Sequence, residues 1–308
     1  MKINEFKERD VVNFTAMIKS LNIRETKTGK PFANIELSDS SGSIAGNLWD
    51  VTKKQEKDFQ PQTLVQVDAN VETYQGKLQL KFNSIHVTTG DISEYIPSAP
   101  VDMKKYLDYI YDYVAGIQNS NWQLLCHKIL GKYKEQFESY PAALSVHHAY
   151  HGGLAFHTST MLAKANMLAK FYPWLNSELL CVGVILHDVG KSIEMPGLFG
   201  DAYTTQGELL GHIELILEDI VEICLKNDID HKAEDILVLK HLIAAHHGKQ
   251  EWGTISEPKL PEAAMLHMID MMDAQMEQYR KVYEGLEPGQ WSGKNYFLNN
   301  SRVYRPVL

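Results

Sequence analysis

The sequence predicts a multidomain protein of mixed class, in which a small five-stranded β-barrel is followed by an all-α domain. Up to about residue 90, short runs that alternate apolar and polar residues are separated by turns, which is typical of half-buried strands. From Met103 onward, longer stretches with helical periodicity take their place. At 308 residues the chain is long enough for two hydrophobic cores. We therefore expect the barrel at residues 1–90, a linker at 91–102, the helical domain at 103–285 and a tail at 286–308.

The N-terminal segment contains the succession of elements of an OB-fold. The predicted elements are strands at 12–18, 32–37 and 43–49, a short helix at 50–59, and strands at 63–71 and 78–87. Asp50 is the expected N-cap of the short helix. Three strands, a helix and two further strands fit a five-stranded OB-fold barrel.

This barrel resembles the OB-folds that hold single-stranded nucleic acid, through the phrase that runs from Lys30-Pro31-Phe32 to Trp49. Such a surface needs aromatic rings for base stacking and cations for the phosphate backbone. The candidate residues of both kinds are Phe32, Trp49, Lys30, Lys77 and Lys81. Each ring has an alternative place in the barrel core, and the turn around Lys30 is alternatively a solvated loop.

Composition and charge limit the classes of function. An apolar fraction of 44% and a charged fraction of 22% are those of an ordinary globular protein, and the charged N-terminus contains no signal-peptide core. No apolar run approaches the roughly 20 residues of a membrane helix. Three widely spaced cysteines, Cys126, Cys181 and Cys224, indicate buried thiols in a cytoplasmic protein. A net charge of −9 argues against nucleic acid over the whole surface, but it allows a local basic groove or a carboxylate-rich metal site.

The helical domain is organised around a segment that is apolar on every side and ends in His187-Asp188. The predicted helices are 106–117, 123–137, 154–171, 177–187, 208–226, 232–246 and 262–283. An imidazole and a carboxylate buried at the end of a helix cost several kcal/mol unless they are paired or bind a metal. Gly190 suits the turn that ends such a helix, and Lys191 is placed to direct its ammonium group at an anionic ligand.

Other histidines and carboxylates lie at helix ends and on inner helix faces. Together they provide enough ligands for two divalent ions: His157, His187, Asp188, His212, His246, His247 and Asp270. Nitrogen and oxygen donors without thiolates suit Mn, Fe, Co, Ni or Zn rather than a structural zinc site. A single histidine of this set would more often be structural, so the prediction depends on their joint occurrence. Asp273 and His267 either orient these ligands or face solvent.

The chain resembles the HD-domain phosphohydrolase superfamily. The order His157, His187-Asp188, Asp270 matches its four core positions, and His212 with His246-His247 matches its two-metal members. The phrase at 147–158, HHAYHGGLAFHT, combined with an N-terminal OB-fold, resembles the YhaM-type 3′→5′ exoribonucleases over nearly the whole chain. His151 and Phe156 depart from the expected residue types, but neither occupies a ligand position. Three histidines precede the glycine pair and are expected to line the substrate entrance: His147, His148 and His151.

The resemblance implies metal-assisted hydrolysis of phosphodiester bonds at the 3′ end of single-stranded RNA, with manganese as the first choice of metal. Asp188 is the expected bridging ligand, because a carboxylate spans two ions whereas an imidazole binds one. Lys191 is expected to stabilise charge on the scissile phosphate, or alternatively to complement a helix dipole. Short single-stranded DNA is a further expected substrate, and homo-oligomerisation and the role of the tail stay open.

Three alternatives follow from the same residues. A nucleotide phosphohydrolase or cyclic-dinucleotide phosphodiesterase uses the same scaffold, but it has no need of an OB-fold, and no Gly-Tyr-Pro follows Gly248. A non-catalytic single-strand-binding protein would not need every ligand position to be filled. A structural metal site would be indicated if chelation unfolded the protein rather than only stopping turnover.

Overall fold

The computed structural model describes residues 1–25, 29, 31–74, 76–95, 102–142, 150–195, 197 and 203–308. The chain divides into two units, Met1–Ser98 and Ala99–Leu308. Lys30, His147 and His148, together with residues 96–101 of the predicted linker, lie outside the described residues. Within the described ranges, no helix combines the length and apolar composition that crossing a membrane requires.

The N-terminal unit is a closed five-stranded barrel with the strand order β1-β2-β3-β5-β4. Its strands are β1 (Val11–Glu25), β2 (Pro31–Asp39), β3 (Gly42–Trp49), β4 (Leu64–Tyr74) and β5 (Lys77–Val87). The long strand β1 pairs antiparallel with both β2 and β4, and a short parallel pairing between β3 and β5 closes the barrel. The predicted OB-fold is therefore confirmed.

Alternation along the strands builds the barrel core. On β4, Val65, Val67, Ala69 and Val71 are buried, whereas the polar residues between them are partly exposed. Because successive side chains of a strand point to opposite faces, this pattern places one row of apolar residues inside the barrel. These residues form one hydrophobic cluster with inward residues of the other strands, such as Ile35.

The short helix of the barrel starts three residues later than predicted, at Lys53 instead of residue 50. Helix α1 spans Lys53–Asp58, and Thr52 is its N-cap. The Thr52 hydroxyl accepts from the backbone N–H of Gln55, and the Gln55 side chain accepts from the backbone N–H of Thr52. This reciprocal pair satisfies two helix-end donors. The prediction that Asp50 caps the helix was wrong, since Asp50 adopts a positive φ of 54° in the preceding turn.

The second unit is helical. Its helices in the described residues are α2 (Met103–Ala115), α3 (Ser120–Lys132), α4 (Lys134–Ser139), α5 (Gly153–Ala169), α6 (Ser177–Leu186), α7 (Lys191–Glu194), α8 (Thr205–Lys226), α9 (Glu234–Ala245) and α10 (Pro261–Glu284). Helix α6 is at its centre, packed against α3, α5, α9 and α10. All of its residues from Leu179 to Leu186 are buried, as its uninterrupted apolar sequence predicts.

The predicted helix 123–137 is divided at Tyr133. This residue has φ −111° and ψ 25°, outside helical values, and separates α3 from α4. Its hydroxyl donates a hydrogen bond of 2.6 Å to Asp219 on α8. The break at Tyr133 is thus accompanied by a contact with α8, which is distant in sequence. The helical periodicity of residues 123–137 does not indicate that break.

The barrel also depends on one close approach between strands. A Cβ on Gly46 would lie 2.6 Å from a ring carbon of Phe82 and 2.7 Å from the carbonyl oxygen of Leu80.

We expect Gly46→Ala to destabilise the barrel by about 1–3 kcal/mol through overpacking. Differential scanning calorimetry of the full chain should show one transition at lower temperature. Gly42→Ala is the matched control, since nothing lies within 4 Å of its Cβ position; equal shifts in both variants would contradict this account.

Candidate metal centre

The seven predicted ligands converge on one buried cluster in the helical unit. His157 comes from α5, His187 and Asp188 from the end of α6, His212 from α8, His246 and His247 from the end of α9, and Asp270 from α10. They form two groups around Asp188. One group is His157, His187 and Asp270, and the other is His212, His246 and His247. In each group the ligand atoms lie within 4.8 Å of one another.

Asp188 lies between the two groups and directs one carboxylate oxygen at each. Its Oδ2 is 3.4 Å from Nε2 of His187 and 3.7 Å from Nε2 of His157. Its Oδ1 is 3.6 Å from Nε2 of His212 and 3.8 Å from Nε2 of His246. These separations are long for hydrogen bonds. They suit pairs of ligands that each stand about 2.0–2.2 Å from a shared ion.

Backbone carbonyls orient two of the imidazoles. Nδ1 of His187 lies 2.8 Å from the carbonyl oxygen of Val184, and Nδ1 of His246 lies 2.7 Å from that of Ile243. A carbonyl oxygen only accepts, so Nδ1 carries the proton in both rings. Nε2 is left with a lone pair that points into the cluster, as metal-binding histidines require.

Carboxylates orient two more imidazoles. Nδ1 of His157 lies 2.7 Å from Oδ2 of Asp273, and Nδ1 of His212 lies 3.0 Å from Oε2 of Glu194. Asp273 is itself held by Lys164 and by the Thr160 hydroxyl at 2.9 Å. Of the two residues predicted either to orient ligands or to face solvent, Asp273 therefore contacts a ligand ring.

His267 has a different contact. Its Nδ1 lies 2.9 Å from the backbone carbonyl oxygen of His246, and its ring packs against Trp252. It therefore bonds the end of α9 and not a ligand side chain.

Several buried polar atoms in the cluster have no hydrogen-bond partner among the described residues. They are Nε2 of His187, His212 and His246, Nδ1 of His247 and Oδ1 of Asp188. Each such atom costs about 1–3 kcal/mol unless it is satisfied. Convergent imidazole and carboxylate donors of this kind fit divalent metal ions. Thiolates do not contribute, because all three cysteines are free and buried elsewhere.

The surroundings hold three of the ligands, Asp188, His246 and His247, in the protonation state that binds metal. Burial and neighbouring imidazoles keep the pKa of His246 well below its ordinary value and lower the pKa of His247 to about 4. Burial raises the pKa of Asp188, but Lys191 and the adjacent histidines outweigh it and keep that pKa well below the usual range. His157 differs. Burial lowers its pKa, yet Asp270 and Asp273 together raise it to about 9.

Lys191 is tied directly to the cluster. Its ammonium group lies 2.7 Å from Oδ2 of Asp188, and its side chain is 14% exposed. It is the first residue of α7, where the dipole of a helix disfavours a cation. The Asp188 carboxylate therefore holds this charge in position.

Gly190 has another role than the predicted one. Its φ of −58° is ordinary for any residue, so no helix-ending turn requires glycine here. A Cβ at this position would lie 2.1 Å from the carbonyl oxygen of His212. Glycine is needed because the backbone of α8 packs directly on it, which brings His212 to the cluster.

Sequence reasoning missed Glu194. Helix α8 is interrupted at Gly211, whose φ of 74° and ψ of 160° are not helical. Directly after the break, the backbone N–H of His212 donates to Oε1 of Glu194 at 3.2 Å. The other oxygen of the same carboxylate orients the His212 ring. A glycine directly before a ligand was the available signal, but nothing in the sequence linked Glu194 to it.

The barrel residues predicted to bind nucleic acid divide into two places. Phe32 and Trp49 are register partners, with stacked rings 5.1 Å apart, and Trp49 is 58% exposed. Asn47 lies two residues before Trp49 on β3, so both side chains point to the same face. Asn47 is the register partner of Lys81 on β5. Phe32, Trp49 and Lys81 thus share the outer face of the barrel. Lys77 is exposed at the β4–β5 turn, about 13 Å from Lys81 along β5.

Comparisons with known proteins cover both units. Residues 12–88 match the family model described as an OB-fold nucleic acid binding domain, and residues 154–275 match that of the HD domain. A protein of Listeria monocytogenes serotype 4b, named 3′-5′ exoribonuclease YhaM, is 36% identical over 100% of this chain and 99% of its own. A Geobacillus protein of the same name is 38% identical over 96% of this chain and 92% of its own.

Glu194→Ala should weaken metal binding by His212, His246 and His247 by about 10–100-fold, because the ring of His212 loses the group that orients it. The ligands around His157 should be unaffected, so elemental analysis after desalting should show a lower metal content that does not fall to zero. Glu208→Ala, which removes an exposed carboxylate of α8, is the control. Metal content and affinity equal to those of the wild type would exclude this role for Glu194.

Metal binding should release a proton from His157. With a pKa of about 9 the metal-free ring is protonated at pH 7.5, and an ion bound at Nε2 displaces that proton. Affinity should therefore rise with pH up to about 9. Titration calorimetry in buffers of different ionisation enthalpy should find about one proton more released per chain at pH 7.5 than at pH 10. Equal release at both values would show that His157 is neutral before metal binds.

Proposed function

The chain belongs to the YhaM family of 3′-5′ exoribonucleases, and we propose that it hydrolyses single-stranded RNA from the 3′ end with two divalent ions held at the cluster around Asp188. Identity over the full length and the combination of OB-fold and HD domain support the activity. The observation that carries the two-ion proposal is the position of Asp188, with one oxygen toward each group of three ligands.

The proposed ion sites use every ligand predicted from the sequence. One ion would be held by His157, His187 and Asp270. The other would be held by His212, His246 and His247, and Asp188 would contribute to both sites. When bound, such ions lower the pKa of water toward neutrality and offset the negative charge of a phosphodiester. Manganese is the first metal to test, and Fe, Co, Ni and Zn suit the same donors.

Among the described residues, the cluster combines fully buried and partly exposed side chains. The side chains of His157, His187 and His246 are 0% exposed, whereas Asp270 is 20% and Lys191 14% exposed. A phosphate that approaches past Asp270 would meet the Lys191 ammonium group first. Asp188 fixes that ammonium group, so Lys191 would donate to a phosphate oxygen without first having to reorient.

The barrel would hold the strand. Its outer face presents the stacked pair Phe32 and Trp49 beside Lys81, which suits bases and phosphates in turn. Lys81 also lies 3.6 Å from Glu72, so part of its charge is offset within the protein. Lys30 and Lys77 are further candidates for phosphate contacts.

No residue of the cluster is arranged to select a 2′-hydroxyl group, so short single-stranded DNA should also be cleaved. The three free thiols suit a cytoplasmic location.

A denaturing-gel time course tests this function. With Mn²⁺ and 5′-labelled single-stranded RNA, the products should form a ladder that shortens from the 3′ end. Asp188→Asn removes a charge that the whole cluster surrounds, and activity should fall by at least about 1,000-fold. Lys191→Ala should lower it by about 100-fold or more. Intact RNA that nevertheless stays bound to the wild-type protein would contradict the exonuclease and favour a binding protein or a small-nucleotide substrate.

A further inference from the structure

The C-terminal segment folds back on itself as an antiparallel hairpin, residues 289–305, here called the C-terminal hairpin. Two bridges, Trp291 to Tyr304 and Asn295 to Ser301, join its arms. The backbone N–H of Gly289 donates to the carbonyl of Arg305 at 2.7 Å, and that of Ser292 to Val303 at 2.8 Å. The predicted tail is therefore an ordered surface element.

The C-terminal hairpin is fixed to the end of α10. The guanidinium group of Arg305 donates to the carbonyl oxygens of Leu286 at 2.5 Å and Tyr283 at 3.1 Å. The Tyr283 hydroxyl donates in turn to the carbonyl of Tyr304 at 3.2 Å. Leu298 and Val303 are buried beneath the hairpin, at 6% and 7% exposure. Aliphatic side chains thus anchor it.

The large aromatic side chains of the hairpin face outward. Trp291 is 57% exposed, Tyr296 78%, Phe297 49% and Tyr304 41%. Rings that only filled a core would be buried in place of Leu298 and Val303. Exposed apolar surface of this kind marks a binding surface.

The charge of the C-terminal hairpin selects the kind of ligand. It contains Lys294, Arg302 and Arg305 and no aspartate or glutamate, in a chain whose net charge is −9. The guanidinium group of Arg302 lies 5.3 Å from the ring centre of Trp291, so cation and ring are adjacent. Flat rings interleaved with cations suit a polyanion with planar bases.

We propose that the C-terminal hairpin is a second binding surface for single-stranded RNA, which holds the strand upstream of the 3′ end. The proposal rests on the proposed function for its choice of RNA. Tyr283, where the hairpin is anchored, follows Asp270 by 13 residues on α10, or about 20 Å along the helix axis. A strand that kept the stacked rise of about 3.4 Å per nucleotide found in a duplex would span that distance with about six nucleotides, and a more extended strand would need fewer. Shorter substrates would reach the metal centre without touching the hairpin.

Substitution of the exposed rings tests the proposal. The variant Trp291→Ala/Tyr296→Ala removes two stacking faces, and Phe171→Ala/Trp174→Ala is its matched control, with rings 73% and 68% exposed elsewhere on the helical unit. Fluorescence anisotropy with a labelled 20-nucleotide RNA in EDTA measures binding without turnover. We expect Kd to rise about 30-fold or more in the hairpin variant and to stay within about 2-fold in the control. Trp291→Phe should retain most of the affinity.

Charge and length provide two further measurements. Lys294→Gln/Arg302→Gln should reduce the slope of log K against log salt by about 1.4, the value for two phosphate contacts on a single strand. With Mn²⁺, the hairpin variant should lose kcat/KM on 20-nucleotide RNA and keep the wild-type value on a 2-nucleotide RNA. Equal losses on both lengths would place the defect in the metal centre and overturn the proposal.

The outcomes separate this proposal from the proposed function. If the wild-type protein binds RNA through the hairpin but degrades none, only the proposed exonuclease activity is overturned. If the hairpin variant binds and degrades 20-nucleotide RNA as well as the wild type does, only the proposed RNA-binding role of the hairpin is overturned. If that variant also changed from oligomer to monomer in light scattering, the hairpin would instead join copies of this chain.

Discussion

The helical unit is arranged around a single buried charge, the carboxylate of Asp188. This side chain is 3% exposed and follows a helix whose residues are apolar on all sides. An ionised group in such a place is unfavourable unless positive charge or donors surround it. Lys191 neutralises it from one direction, and the two histidine groups offer lone pairs on either side of it. Cations held by those groups would remove the rest of the cost.

Close backbone packing sets the distances within the cluster. A Cβ on Gly183 of α6 would lie 2.7 Å from Leu242 of α9, and a Cβ on Gly190 would overlap the backbone of His212. Because both glycines lack that atom, α6 lies close to α9 and the Gly190 turn lies close to α8. The break at Gly211 then turns the His212 ring inward, and Glu194 holds it there. The positions of the ligands thus depend on residues that bind no metal.

Both units leave some aromatic rings outside a filled core. In the barrel, Phe6 and Phe14 join aliphatic side chains such as Val67 in the core, whereas Trp49 stays on the outer face. In the C-terminal hairpin, Leu298 and Val303 are buried and the rings of Trp291 and Tyr296 face solvent. Aromatic rings left outside a filled core are available for stacking, which is the physical basis of both nucleic-acid surfaces proposed for this chain.

The sequence by itself determined the OB-fold, the helical domain and the residue types of the metal centre, because strand and helix periodicities and the ligand order are local properties of the chain. Only the tertiary structure decided how those residues meet. It showed that Asp188 faces both histidine groups, that Gly190 serves close packing, and that Glu194, 18 residues from His212, orients its ring. It also moved a helix cap from Asp50 to Thr52 and divided a helix at Tyr133. Each of these features depends on contacts between segments distant in sequence or on the geometry of a turn, and neither leaves a periodic pattern in the chain.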